Sequence, residues 1–149
     1  MIRFNGQVSH LNYDKPTTCL RDLVRLMKSS LIAPCGMNCG ICRAHLRATR
    51  QCTGCRSRDK KCAIRRCETF RTNTFRFCVE CMDFPCQKIK RLDKRYRTRY
   101  NMSMIENLQF LKQHGMREFL NRQTKRYTCP ICEGIISVHD GRCYGSCTS

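Results

Sequence analysis

Apolar positions recur at helical spacing in two parts of the chain. In residues 19–31, Leu20, Leu23, Val24, Met27 and Leu31 fall at i, i+3, i+4, i+7 and i+11, which predicts an amphipathic helix. Arg21, Asp22, Arg25 and Lys28 then occupy its wet side. Residues 87–126 predict two or three further helices, at about 87–98, 103–114 and 116–125. Met104, Ile105, Leu108 and Leu111, followed by Phe119 and Leu120, form an apolar stripe expected to pack against the rest of the chain. Ser103-Met-Ile-Glu106 has the form of a capping box, and Gly115 suits the residue that ends a helix.

Between these stretches the periodicity disappears and cysteine takes over. The chain holds 15 cysteines in 149 residues, a density that marks either a disulfide scaffold or a metal protein. Residues 33–86 carry ten of them, with Gly36, Gly40 and Gly54 placed to let the backbone turn tightly around clustered thiols. Short turns, stubby strands and single helical turns are expected there. From Tyr127 the cysteines return, residues 134–138 read as a strand, and Asp140-Gly141 reads as a hairpin turn. The expected fold is a small α+β metal-stabilised one. Its parts are an N-terminal extension or helix (1–32), an irregular cysteine-rich block (33–86), a basic helical segment (87–126) and a C-terminal zinc ribbon (127–149).

The choice between disulfides and metal turns on compartment. Residues 1–18 are polar and do not follow the pattern of a secretory signal, and no run approaches the roughly 18 apolar residues of a membrane span. A cytoplasmic, reducing location with no membrane contact is therefore expected, where clustered thiols serve as metal ligands.

Two sets of thiols carry that reading. Cys129-x2-Cys132 followed by Cys143-x3-Cys147 is a pair of knuckles around a turn, the signature of a closed four-thiolate zinc site. His139 is available to it as a substitute ligand, although an exposed loop histidine is the favoured reading. In the first block, Cys39/Cys42, Cys52/Cys55, Cys62/Cys67 and Cys78/Cys81 have knuckle-like spacing, enough for two more sites. Cys35 and Cys86 are left as exchange partners in those sites or, with His45, as parts of a third. The pairing is open, because neighbouring pairs can share an ion or alternate. About three zinc ions per chain follow. Cys35-x3-Cys39-x2-Cys42 also has the three-cysteine spacing that holds an iron–sulfur cluster, so such a cluster in residues 35–86 is the alternative cofactor. Cys19 stands apart as a free thiol.

With these residues in view, the chain resembles an uncharacterised cysteine-rich family of bacteria and archaea, catalogued as a domain of unknown function. The matching stretches are Ala33-Pro-Cys-Gly-Met-Asn-Cys-Gly-Ile-Cys42, Cys52-Thr-Gly-Cys55, Cys62-Ala-Ile-Arg-Arg-Cys67 and Phe77-Cys-Val-Glu-Cys-Met-Asp-Phe-Pro-Cys86. The likeness continues through 92–100 and 103–108 and covers about 31–147. It implies a small zinc-binding protein and carries no activity. Similar proteins begin near a Met-Lys such as Met27-Lys28, so residues 1–26 are expected to lie outside the common fold.

Charge adds a candidate partner. The formal net charge is +18 with every thiol neutral. A zinc ion with four thiolates carries −2, so three such sites lower +18 to +12 and part of the basic content balances sulfur. Positive charge concentrates in residues 43–76, which include Arg65 and Arg66, and in residues 87–100. The second stretch holds Lys88, Lys90, Arg91, Lys94, Arg95, Arg97 and Arg99, with Tyr96 and Tyr100 interleaved. Arginines with stacking aromatics suit structured RNA or the ribosome; a solvated helix face with the tyrosines packed inward is the alternative. A protein-interaction or metal-handling module, with a protein partner, is the competing function. No catalysis is expected: the chain offers 11 carboxylates, no phosphate loop, and in His45 and His114 only lone histidines.

Overall fold

The computed structural model describes residues 27–57 and 62–147. Among these, four α-helical segments occur in chain order: α1 (Arg43–Leu46), α2 (Glu68–Thr72), α3 (Gln87–Tyr100) and α4 (Met104–Tyr127). Three single 3-10 turns, Ser29–Leu31, Cys39–Ile41 and Cys78–Glu80, punctuate the cysteine-rich part. Pairing of extended chain is limited to isolated bridges, Ile32 with Asn38, Thr128 with Ile135 and Ile136 with Cys143. The fold is therefore small and helical with few strands, which corrects the α+β expectation. In residues 134–138 two bridges replace the expected strand. The stretch lies between Glu133, at φ 59, and Gly141, at φ 67.

Of the helix expected at 19–31, residues 19–26 lie outside the described residues, and Ser29–Leu31 form a 3-10 turn that follows an extended Lys28. The expected helix at about 87–98 corresponds to α3. Those expected at 103–114 and 116–125 join as α4, broken at Gly115, whose φ 79 and ψ 173 are not helical. A side chain at that φ is strained, so glycine suits the bend. Ser103 caps α4 by accepting the N–H of Glu106 at 3.0 Å.

The helices serve a shared core. Ile32, Ile41, Ile89, Met104, Leu108 and Phe119 are fully buried, and Val138 from the terminal segment joins the same cluster. The backbone makes the same connection, since Val138 N–H donates to the Ile41 carbonyl at 3.0 Å. Gly36 is where α4 meets the first cysteine loop. It has φ +84, and a Cβ there would stand 2.9 Å from Leu108 Cγ and 3.1 Å from the Met104 carbonyl. Asn107 ties the contact by donating to the Gly36 carbonyl at 3.1 Å. The apolar stripe of α4 thus packs against the cysteine block through a backbone approach that only glycine permits. Among the described residues no helix is long and apolar enough to cross a membrane.

Candidate metal centre

The sulfurs of Cys129, Cys132, Cys143 and Cys147 lie within 4.8 Å of one another. Cys132 is 3.1 Å from Cys147 and 3.4 Å from Cys143, and Cys129 is 3.5 Å from Cys147. These are contacts between separate thiols, since a disulfide bond is about 2.05 Å, and no disulfide joins the described cysteines. A tetrahedral ion with metal–sulfur bonds of about 2.3 Å places its ligands about 3.8 Å apart. The quartet therefore fits one ion with little adjustment.

Local backbone geometry builds this arrangement. Cys129 N–H donates to the Gly134 carbonyl at 2.7 Å, and Glu133 N–H returns to the Cys129 carbonyl at 2.9 Å. The turn so formed aims amides at sulfur: those of Cys132 and Ile131 at Cys129, and that of Gly134 at Cys132. On the other arm Gly145 N–H meets Cys143 Sγ at 3.3 Å. Donors aimed at sulfur favour the thiolate. Cys132 is lowered to about 6, by the Cys147 thiol first and then by the Gly134 amide. Cys129 is lowered by its two amides. Cys147 is raised, because its proton bridges to Cys132, Cys143 and Cys129, and burial raises Cys143. Two low and two high thiols describe a quartet that shares protons until a cation displaces them.

The two arms can meet because glycine faces glycine. A Cβ on Gly134 would lie 2.5 Å from Gly145 Cα and 3.1 Å from Cys143 Sγ; one on Gly145 would lie 2.8 Å from Cys132 Sγ. Neither glycine was marked by the sequence pattern, although each stands two residues after a ligand cysteine. His139 is not among the ligands. Its ring packs edge-on against Tyr100 at 4.8 Å and Tyr96 at 5.9 Å.

The ten thiols of the first block are arranged differently. Among the described residues no second group of three or more Cys, His, Asp or Glu donors lies mutually within 4.8 Å. Cys35, Cys39 and Cys52 are buried, and Cys42, Cys55, Cys62, Cys67, Cys78, Cys81 and Cys86 are half-buried. Cys39 accepts the Cys55 amide at 3.3 Å, and the hydrogen bond between their thiols, with burial, raises it. Burial pushes Cys35 up to about 12, with further repulsion from Cys55 and Cys62. Burial also pushes Cys78 up to about 12, with repulsion from Cys35, Cys86, Cys67 and Cys81. Cys67, Cys78, Cys81 and Cys86 line one cavity of about 30 Å3. His45 Nδ1 lies 2.6 Å from the Cys52 carbonyl oxygen, which fixes that nitrogen as a backbone partner.

Of the expected basic contacts, Lys88, Lys90, Arg91, Lys94, Arg95 and Arg99 stand exposed on α3, and Arg66 is exposed beside half-buried Arg65. Arg65, Arg66 and Arg71 line an open cleft of about 660 Å3, and Lys88, Arg91 and Arg95 line another of about 450 Å3. Arg97 is committed within the fold, bonded to Asp93 at 2.6 Å, Glu106 at 3.1 Å and Ser103 at 3.0 Å. Tyr96 and Tyr100 are half-buried and meet edge to face at 5.1 Å. In this conformation they pack inward, against the expectation of free stacking surfaces. Arg56, counted from sequence as surface charge, donates to the Ile32 carbonyl at 2.7 Å and the Arg76 carbonyl at 2.9 Å and covers the Phe77 ring.

No curated protein and no solved structure gives a match to this chain. The cysteine-rich chain does match the model of a family described as Protein of unknown function (DUF3795), over residues 31–91, a span that holds all ten thiols of the first block and stops short of the terminal quartet.

Proposed function

We propose that this is a zinc-binding protein, closed at its C-terminus by a zinc ribbon, that binds structured RNA, the ribosome included, through a basic surface formed by α3 and the segment around α2. The zinc assignment is supported by the all-thiolate tetrahedron of Cys129, Cys132, Cys143 and Cys147, which leaves no position for substrate or water and so acts structurally. The RNA reading rests on one observation. Among the described residues, the two open clefts lined by Arg65, Arg66 and Arg71 and by Lys88, Arg91 and Arg95 have no carboxylate in their walls. Uncompensated guanidinium groups on concave surfaces suit phosphates, which arginine binds in bidentate fashion.

Salt dependence tests this reading. Affinity for a folded RNA should fall steeply as salt rises, with a log–log slope set by the phosphates neutralised, and the triple variant Arg65→Gln, Arg66→Gln, Arg71→Gln should flatten it. Absence of RNA binding at low salt removes the reading.

A second reading, contact with a protein, is favoured by Met82 and Ile131. They are 96% and 81% exposed, and each adjoins a cysteine turn. A partner captured by the wild type and lost with Met82→Ser and Ile131→Ser, with RNA affinity unchanged, would establish it.

A further inference from the structure

Tyr96 and Tyr100, the aromatics expected to stack on bases, are taken up by each other and by His139. Two other rings stand beside the basic surface. Phe70 on α2 and Phe75 just beyond it are half-buried and line the same open cleft as Arg65, Arg66 and Arg71. Asn73 ends α2 between them, extended at φ −109 and ψ 160, with its Nδ2 donating to the Thr69 carbonyl at 2.8 Å.

These two rings are placed unlike the other aromatics. Phe77 and Phe119 lie in the core, and Phe84, Tyr96, Tyr100 and Phe110 pack against it, whereas Phe70 and Phe75 do neither. Elsewhere guanidinium groups cover rings: Arg56 and Arg76 lie over Phe77, Arg95 over Tyr96, and Arg122 over Phe110. Among the described residues no guanidinium lies over Phe70 or Phe75, although three arginines border their cleft. Apolar ring surface beside uncompensated positive charge suits a ligand that is flat and apolar in one part and anionic in another. A nucleotide has both parts, but a paired helix hides its base faces within the stack, so only an unpaired nucleotide presents them together. At about 660 Å3 the cleft falls in the size range of small-ligand sites.

We infer that the cleft beside α2 takes an unpaired nucleotide of an RNA loop or bulge, its base stacked on Phe70 or Phe75 and its flanking phosphates held by Arg65, Arg66 and Arg71. The inference rests on the RNA reading and narrows it. The cleft lined by Lys88, Arg91 and Arg95 has no aromatic ring in its described walls and serves phosphate alone.

The test compares the affinity of the full chain for a hairpin RNA with an unpaired loop and for a blunt, fully paired RNA of the same length, at low and at moderate salt. The loop RNA should bind about 10-fold tighter, the scale of one stacked base. The double variant Phe70→Leu, Phe75→Leu keeps apolar bulk and removes the aromatic faces; it should lose that preference while its duplex affinity and salt slope stay unchanged. Phe70→Tyr with Phe75→Tyr should retain the preference. Circular dichroism establishes that each variant folds. A second measurement needs no variant: thiouridine placed in the loop and photoactivated in the wild-type complex should cross-link to Phe70 or Phe75, as mapped by mass spectrometry. Equal wild-type affinity for the two RNAs, a full loop preference in the folded leucine variant, or cross-links confined to other residues overturns the inference and leaves the RNA reading in place. Failure to bind either RNA at low salt overturns both.

Discussion

Ser103 donates its hydroxyl to Asp93 at 2.7 Å while accepting the N–H of Glu106 at 3.0 Å, so one side chain both caps α4 and fixes it to α3. Asp93 is 6% exposed, and its carboxylate also takes the Ile105 amide at 3.0 Å and the Arg97 guanidinium at 2.6 Å. Burial works to raise its pKa, but these three donors outweigh it and hold the carboxyl below its ordinary range.

Asp93→Asn keeps the shape and removes the charge that the three donors satisfy. The expected loss is about 1–3 kcal/mol in chemical denaturation, with bound metal unchanged. A carboxyl depressed in the folded state adds stability that is present above its unfolded pKa of about 3.9 and disappears as pH falls through the folded value. The gap between wild type and variant should therefore close below about pH 4. A gap that stays constant down to pH 2 would mean that Asp93 acts through packing alone.

Gly134→Ala forces a methyl into the 2.5 Å approach to Gly145 Cα, so the two arms of the quartet must separate. That contact and the next, with Gly145 N at 2.8 Å, are both with backbone, which yields less readily than a side chain. Metal affinity at the terminal site should fall roughly 10- to 100-fold, the scale seen when support around a ligand set is disturbed. Competition with a chromophoric chelator measures it. Gly141→Ala is the contrast, since a Cβ there meets nothing within 4 Å, and only the strain of φ +67 remains.

Local features were legible in the sequence and tertiary ones were not. The terminal quartet could be read because a tight turn fixes each cysteine pair within a few residues. α3, the Ser103 cap and the Gly115 break could be read because helix periodicity and capping are near-neighbour effects. Grouping of the ten first-block thiols depends on how Cys67, just before α2, and Cys86, just before α3, come to border one cavity, which spacing does not encode. Arg56 and Arg97 show the same limit for charge. Composition counts both as basic surface, while the fold spends one on backbone carbonyls and the other on Asp93 and Glu106.

His139 joins the terminal segment to α3. Its ring sits 4.8 Å from Tyr100, its Nε2 is 3.4 Å from the Tyr96 hydroxyl, and its Nδ1 is buried without a hydrogen-bond partner. Burial lowers its pKa, the positive charge of Arg43 adds to that, and Asp140 opposes it. The unfolded chain therefore takes up a proton below about pH 6.5 that the folded chain resists, and stability falls on acidification. His139→Phe keeps the edge-to-face packing and removes the titration. Its stability relative to wild type should rise between pH 6.5 and pH 5, measured as a difference so that cysteine protonation common to both cancels.

Arg97 separates structural from ligand-binding charge on a single helix. It points at Asp93, Ser103 and Glu106, while Arg91 and Arg95 line an open cleft. Arg97→Gln should destabilise the fold and leave the salt slope of RNA binding intact, because the side chain it removes is already paired. Arg91→Gln and Arg95→Gln should each reduce that slope by about one and leave the denaturation midpoint in place. If Arg97→Gln flattens the slope as much as either of the others, the ion pair with Asp93 opens on binding and the division fails. Binding titrations at three salt concentrations, paired with denaturation curves for the same variants, distinguish the two results.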